Sequence, residues 1–204
     1  MTAIVDMCDK VRLWLNEGAE VYPNDMVTTW VNGANELLNS ELRIADMIQI
    51  DTATVTDPRV TLPSDWIEAD FVRVVGGRPL VFKNRHDFYT PNDQGTYDNR
   101  GKYTIVGKYI VLGDAGVSTP LDIEMSYYGD IPVMENDDTW MQTRYPLMYL
   151  FATLEVGSLY GLEDDRMGMW KDRRVEMTQK LNDAHMKAKA SGSRLSFKSR
   201  GGFG

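Results

Sequence analysis

The stretch Val27–Val55, VTTWVNGANELLNSELRIADMIQIDTATV, contains the point where the chain changes its hydrophobic period. Val27, Trp30, Val31, Ala34, Leu37, Leu38 and Leu42 recur at intervals of three and four, tracing one face of a helix through about five turns. From Ile48 the period falls to two, and β-branched and aromatic residues take over until about Tyr128. Helices return after that sheet, so the pattern predicts an α+β fold.

Working back from this stretch, Ile4, Met7, Cys8, Val11 and Leu15 form a second amphipathic stripe, and Gly18 stands where helices often stop. Tyr22-Pro23-Asn24-Asp25 supplies a turn and a side-chain cap, and a turn this short makes the two helices antiparallel neighbours. Working forward, Asp70–Val75 and Pro79–Phe82 flank Gly76-Gly77, and Tyr103–Val106 and Tyr109–Leu112 flank Gly107-Lys108, so each pair predicts a hairpin. Leu121, Ile123, Met125 and Tyr127 alternate with Asp122, Glu124, Ser126 and Tyr128, the pattern of a strand with one buried face. The polar segment Asn92–Lys102 is expected to be an exposed loop.

The capping run Asn136-Asp137-Asp138-Thr139 precedes a helical stripe from Pro146 through Leu147, Leu150, Phe151, Leu154 and Leu159 to Gly161. A last helix is expected to begin near Asp164-Asp165, with Met167, Trp170, Met177, Leu181, Ala184 and Ala188 on its stripe. Arg174 interrupts that stripe, and either snorkels to solvent or pairs at a subunit boundary. The expected organisation is a helical hairpin over 1–46, an antiparallel β-sheet insertion over 47–133, a second helical hairpin over 134–188 that completes an antiparallel bundle, and an extended basic tail over 189–204.

Composition narrows the function. The chain has 204 residues, 43% hydrophobic and 25% charged, and no apolar run approaches the roughly 18 residues of a membrane span, so a soluble protein without membrane contact is expected. The N-terminus lacks a basic stretch followed by an apolar run, which points to synthesis in a cytoplasm. A single cysteine, Cys8, on an apolar helical face, allows no intrachain disulfide and is read as a small core residue. His86 and His185 have no companions at ligand spacing, so neither a metal nor a cofactor is expected. No nucleophile elbow, phosphate-cradling glycine loop or Cys/His dyad occurs, and Asp137-Asp138 and Asp164-Asp165 fall where helix caps belong. An enzyme is not expected, and an acidic hydrolase would lack a nameable nucleophile–base pair. Trp30 and Trp170 lie on core stripes, whereas Trp14 is placed either beside the core face or against a neighbouring chain.

The charge distribution is uneven. Net charge is −8, from 22 Lys+Arg and 30 Asp+Glu, yet the segment from Lys187 to Gly204 carries Lys187, Lys189, Arg194, Lys198 and Arg200 and no carboxylate. The rest of the chain therefore stands at −13. Three readings fit this Gly/Ser-rich tail: a solubilising end, a phosphate-binding strap, or a segment docking in a protein cleft with Leu195 and Phe197 as alternate-residue anchors. The acidic body repels duplex DNA and so disfavours specific DNA binding by the whole protein.

The order of local motifs resembles the head-to-tail adaptor proteins of short-tailed bacteriophages. The residues that carry it are Trp30-Val31-Asn32 with Ala34, Glu36, Leu38, Asn39 and Leu42-Arg43, then Leu62-Pro63-Ser64-Asp65-Trp66 and Val74-Val75-Gly76-Gly77-Arg78-Pro79-Leu80. Tyr103-Thr104-Ile105-Val106-Gly107, Tyr127-Tyr128-Gly129-Asp130-Ile131-Pro132 and Pro146-Leu147-Met148-Tyr149-Leu150 follow, and the long last helix ends in the basic tail. The resemblance implies a virion structural protein at the head–tail junction: a dodecameric ring beneath the portal that offers a docking surface to tail or nozzle proteins. Double-stranded DNA would pass through it without specific binding. It also implies a destination for the tail, with Arg194, Leu195, Phe197, Lys198, Arg200 and Phe203 as candidate portal-docking residues. Tyr145, Tyr149 and Tyr160 beside the Leu147/Leu150/Leu154 face would suit a ring interface or pack under the sheet. The alternative reading is a nucleic-acid-binding accessory protein that uses the basic tail.

Overall fold

The computed structural model describes residues 3–91, 99–113, 120–135, 137–160 and 166–192. It divides into a helical unit, built from residues 1–45 and 131–204, and a β unit of residues 46–130. Mixed helix and antiparallel sheet make the chain α+β.

In the helical unit, α1 (Ala3–Leu15) buries Met7, Cys8, Val11 and Leu15, and α2 (Asn24–Glu41) buries Val27, Trp30, Val31, Ala34 and Leu38. The stop of α1 differs from the expectation at Gly18. Asn16 adopts φ +59, while the Glu17 N–H donates to the Arg12 carbonyl at 3.1 Å and the Asn16 N–H to Leu13 at 3.3 Å. Asparagine tolerates this left-handed position, so the helix is closed before the glycine is reached. Asn24 is likewise no cap for α2. Pro23 occupies the cap position without a side-chain bond, and the Asn24 side-chain oxygen accepts from Arg12 Nη2 instead. Arg12 is buried and also donates from Nε to the Tyr22 carbonyl at 2.8 Å and from Nη1 to Asp9 at 3.0 Å, so one guanidinium fastens the turn between the antiparallel helices. Cys8 is 1% exposed, and burial pushes its thiol above the ordinary range, as suits an inert core residue.

The capping run at 137–139 starts a short helix, α4 (Trp140–Arg144), in which the Thr139 hydroxyl, rather than Asp137 or Asp138, accepts from the Gln142 N–H at 3.2 Å. Next comes α5 (Pro146–Leu159), buried almost all round at Met148–Leu154, Val156 and Gly157. The one-sided stripe expected there is corrected at both ends, since Leu147 is 50% and Leu159 81% exposed. A helix packed on several sides has no single apolar face for periodicity to reveal. The long α6 (Met167–Gly192) follows. It extends beyond residue 189, where extended tail was expected, so Lys187 and Lys189 are helical.

Tyr149 is fully buried on α5; Tyr160 is 57% exposed. Burial pushes the Tyr149 phenol up to about 12, and its hydroxyl has no hydrogen-bond partner among the described residues. Tyr149→Phe should therefore leave the thermal midpoint unchanged or raise it slightly in a calorimetric scan, because no bond is lost and a buried polar atom is removed.

In the β unit, β1 (Ile48–Val55), β7 (Leu121–Gly129) and β3 (Trp66–Val74) make a three-stranded antiparallel sheet with β7 in the centre. A second sheet runs β2 (Arg59–Thr61), β6 (Tyr109–Leu112), β5 (Lys102–Val106), β4 (Val81–Phe82). Val55, Val72, Ile123, Met125 and Tyr127 from the first share one core with Val60, Tyr103, Ile110 and Leu112 from the second, which makes a β-sandwich where one sheet was expected.

The hairpin about Gly107-Lys108 is present, with Val106 opposite Tyr109 and Gly107 at φ +59, the conformation a two-residue turn opening on glycine requires. The hairpin about Gly76-Gly77 is a correction. Gly76 does turn the chain at φ +77, and Arg73 bridges Pro79. Val81 and Phe82 then leave for the other sheet and pair in parallel with Lys102 and Tyr103. A further helix, α3 (Arg85–Tyr89), has Asn84 as its cap and places Phe88 among the buried residues. Residues 92–98 of the expected loop lie outside the described residues.

Candidate interaction surfaces

On α6, Trp170, Arg174, Thr178 and Asn182 recur every four residues and so lie nearly in line along the helix. The first three are buried. The Arg174 side chain is 3% exposed; its Nε donates to Glu155 Oε2 at 2.5 Å, its Nη2 to Glu155 Oε1 at 3.3 Å and its Nη1 to Glu41 Oε2. This overturns both options for Arg174. It neither snorkels nor awaits another subunit, because its carboxylates come from α5 and the last residue of α2 in the same chain. Burial alone would lower the guanidinium's proton affinity, but the hydrogen bonds and charges of Glu155 and Glu41 outweigh it and raise the value.

One turn beyond Thr178, the Asn182 amide donates to the Glu41 carbonyl at 2.9 Å, and its oxygen accepts from the Arg43 N–H at 2.9 Å. A side chain of α6 thus satisfies polar groups at the end of α2 that the helix itself leaves open. The expected stripe is corrected here: Leu181 beside Asn182 is half-buried, and beyond it Ala184 and Ala188 are exposed, His185 is half-buried and Met186 is 61% exposed. The helix that leads to the tail is therefore locked at its middle and uncovered at its end. The candidate docking residues Arg194, Leu195, Phe197, Lys198, Arg200 and Phe203 lie outside the described residues.

Two motifs that carry the resemblance meet in the β unit. Trp66, at the start of β3, registers with Gly129 at the end of β7, and the Trp66 and Tyr127 rings stack at 5.0 Å with 20° between planes. Tyr127 donates its hydroxyl to Asp65 Oδ1 at 3.0 Å, and the Asp130 N–H donates to the Asp65 carbonyl at 2.8 Å. Gly129 leaves room for these side chains, since a Cβ there would lie 2.8 Å from Asp65 Oδ2 and 2.9 Å from Gln49 Cγ. Burial and the Asp65 carboxylate push the Tyr127 phenol up to about 12, and the same two influences raise the Asp130 carboxyl. In the helical unit Asn39 accepts from the Ile131 N–H at 2.8 Å, and Asn35 donates to the Ile131 carbonyl at 2.9 Å. Of these residues Asp65, Gly129, Asp130 and Asn39, all in the motifs, and Asn35, outside them, hold backbone corners together.

Trp30 and Trp170 are buried as expected, and Trp14 is half-buried and packs edge-on with Phe151, the ring centroids 5.5 Å apart. Sequence reasoning missed Arg12, Asn35 and Asn182, whose partners are set by how helices meet rather than by local pattern. Among the described residues no group of three His, Cys, Asp or Glu side chains is placed to hold a metal ion, and no helix is long and apolar enough to cross a membrane.

Residues 2–196 match the family model described as SU10 adaptor protein, a span that takes in both units and stops short of Phe197, Lys198, Arg200 and Phe203. Comparison with curated proteins gives no match. With nearly the whole chain covered in a single match, the protein belongs to the SU10 adaptor protein family, the phage structural adaptors.

Proposed function

We propose that the protein is the head-to-tail adaptor of a virion, assembling as a twelve-fold ring between the portal and the tail components, with its C-terminal tail docking on the portal. Family membership supports the adaptor role. The observation that carries the docking is the separation of charge: a body at −13 ends in a carboxylate-free segment with five basic side chains. That segment begins on a helix held to its own bundle by Arg174 and Asn182, so a strap leaving α6 starts from a fixed point. Docking Leu195 and Phe197 in a partner cleft would offset the ordering of a Gly/Ser-rich strap, since one buried Phe contributes roughly 1.5–3 kcal/mol. An acidic wall also suits a channel for DNA, because like charge keeps the duplex from sticking.

Deleting 193–204 should preserve the helical signal and thermal transition while weakening association with the portal at least tenfold in co-sedimentation, with rings on portals lost from negative-stain images. Undiminished binding by the truncated chain would sink the strap. Salt-sensitive binding to duplex DNA that disappears with the same deletion would assign the tail to nucleic acid instead.

A further inference from the structure

We infer that the outer face of the β2–β6–β5–β4 sheet is a docking groove for an extended acidic segment of a partner protein, read by Arg59 and Lys108 around an apolar, tyrosine-lined centre. Strand alternation builds the groove. Val60, Ile110 and Leu112 point into the sandwich core, so Arg59, Tyr109 and Val111 present their side chains on the opposite face. With Tyr89 from α3, Val106 from β5 and Lys108 from the hairpin turn, they line a groove of about 370 Å³. Tyr89 and Tyr109 are 50% and 45% exposed, large aromatic surfaces that the sandwich leaves open to water.

Charge selects the occupant. Residues 46–130 contain 13 carboxylates against 8 Lys and Arg, yet among the described residues no Asp or Glu lines this groove. Two adjoining depressions continue the pattern. One shares Tyr89 and adds Arg85 and His86, the other shares Gly107-Lys108 and adds Trp66, and among the described residues neither is lined by a carboxylate. Asp57 stands at the Arg59 end, where its Oδ1 accepts from the Arg59 N–H at 2.8 Å, but the described lining itself presents three cations and no carboxylate, which on an acidic unit is complementary to negative charge. The apolar lining and the small number of cations favour a polypeptide over a nucleic acid, whose affinity rests on neutralising many phosphates. The chain's own tail is the wrong sign, since Arg194, Lys198 and Arg200 would face Arg59 and Lys108. An extended segment with carboxylates among apolar residues satisfies both features, because alternate side chains along a strand reach one surface about 7 Å apart.

This surface stands independently of the portal strap. The test uses the full-length protein and a fluorescein-labelled twelve-residue peptide in which Glu alternates with Val and Tyr, read by fluorescence polarisation. Saturable binding is expected, falling at least tenfold in the R59E/K108E double variant and several-fold in Y109S, with unchanged circular dichroism because all three side chains are exposed. No binding of this peptide, equal binding by R59E/K108E, equal binding of a peptide with Lys in place of Glu, or displacement by duplex DNA that itself depends on Arg59 and Lys108 would overturn the proposal.

Discussion

Arg174→Ala should lower the stability of the helical unit by about 3–5 kcal/mol, the largest single-residue effect expected in this chain. The loss comes from what the substitution leaves behind. Glu155, whose side chain is only 16% exposed, would keep its charge without its bidentate partner, and Glu41 would lose the contact that holds the end of α2 to α6. In a protein of this size that loss corresponds to a fall of about 6–20 °C in thermal midpoint. Urea unfolding followed by far-ultraviolet circular dichroism reads it directly. Arg174→Lys should recover only part, because an ammonium cannot present the planar fork that meets both Glu155 oxygens. The triple variant E41Q/E155Q/R174M should return close to the parent, since it removes the buried charges together rather than stranding one side. A loss below about 1 kcal/mol for Arg174→Ala would mean that the triad contributes no more than an exposed ion pair.

Gly157→Val should lower stability by about 1–3 kcal/mol, although glycine is the poorer helix former by about 1 kcal/mol against alanine. Two glycines face the opposite helix where α2 and α5 cross. A Cβ on Gly157 would lie 2.9 Å from Trp30 Cε3 and 3.0 Å from Cδ2, and one on Gly33 would lie 2.8 Å from Val156 Cγ1. Trp30 is 1% exposed and has Tyr22 packed at 5.3 Å, so its ring has no space into which to withdraw. Combining Gly157→Val with Trp30→Leu should relieve part of the clash. A double-mutant cycle should show coupling above about 0.5 kcal/mol, and strict additivity would refute the close-crossing explanation.

The two residues differ in how far the sequence reveals them. Gly157 sits within a helical pattern, where its presence is anomalous, but nothing local says that Trp30 is the side chain across from it. Arg174 was visible as an interruption of an apolar stripe, and two destinations fitted it equally. The third was hidden because Glu41 lies 133 positions away in sequence. The candidate docking residues from Arg194 to Phe203 remain an argument from composition, since they lie outside the described residues.

Periodicity by itself determined α1, α2, the β5–β6 hairpin, the alternating strand β7 and the α+β class, because the side-chain rows of a helix and a strand repeat at 3.6 and 2 residues whatever they pack against. Composition likewise determined the opposition between acidic body and basic tail. Only the tertiary structure decided that the chain after Gly76 crosses to a second sheet. Only there does Arg174 turn inward to two carboxylates, and Asn182 close a helix end whose Arg43 lies 139 residues away. A local pattern states which side of an element is apolar, while the partner of a polar group and the sheet a strand joins depend on which distant segments arrive beside them.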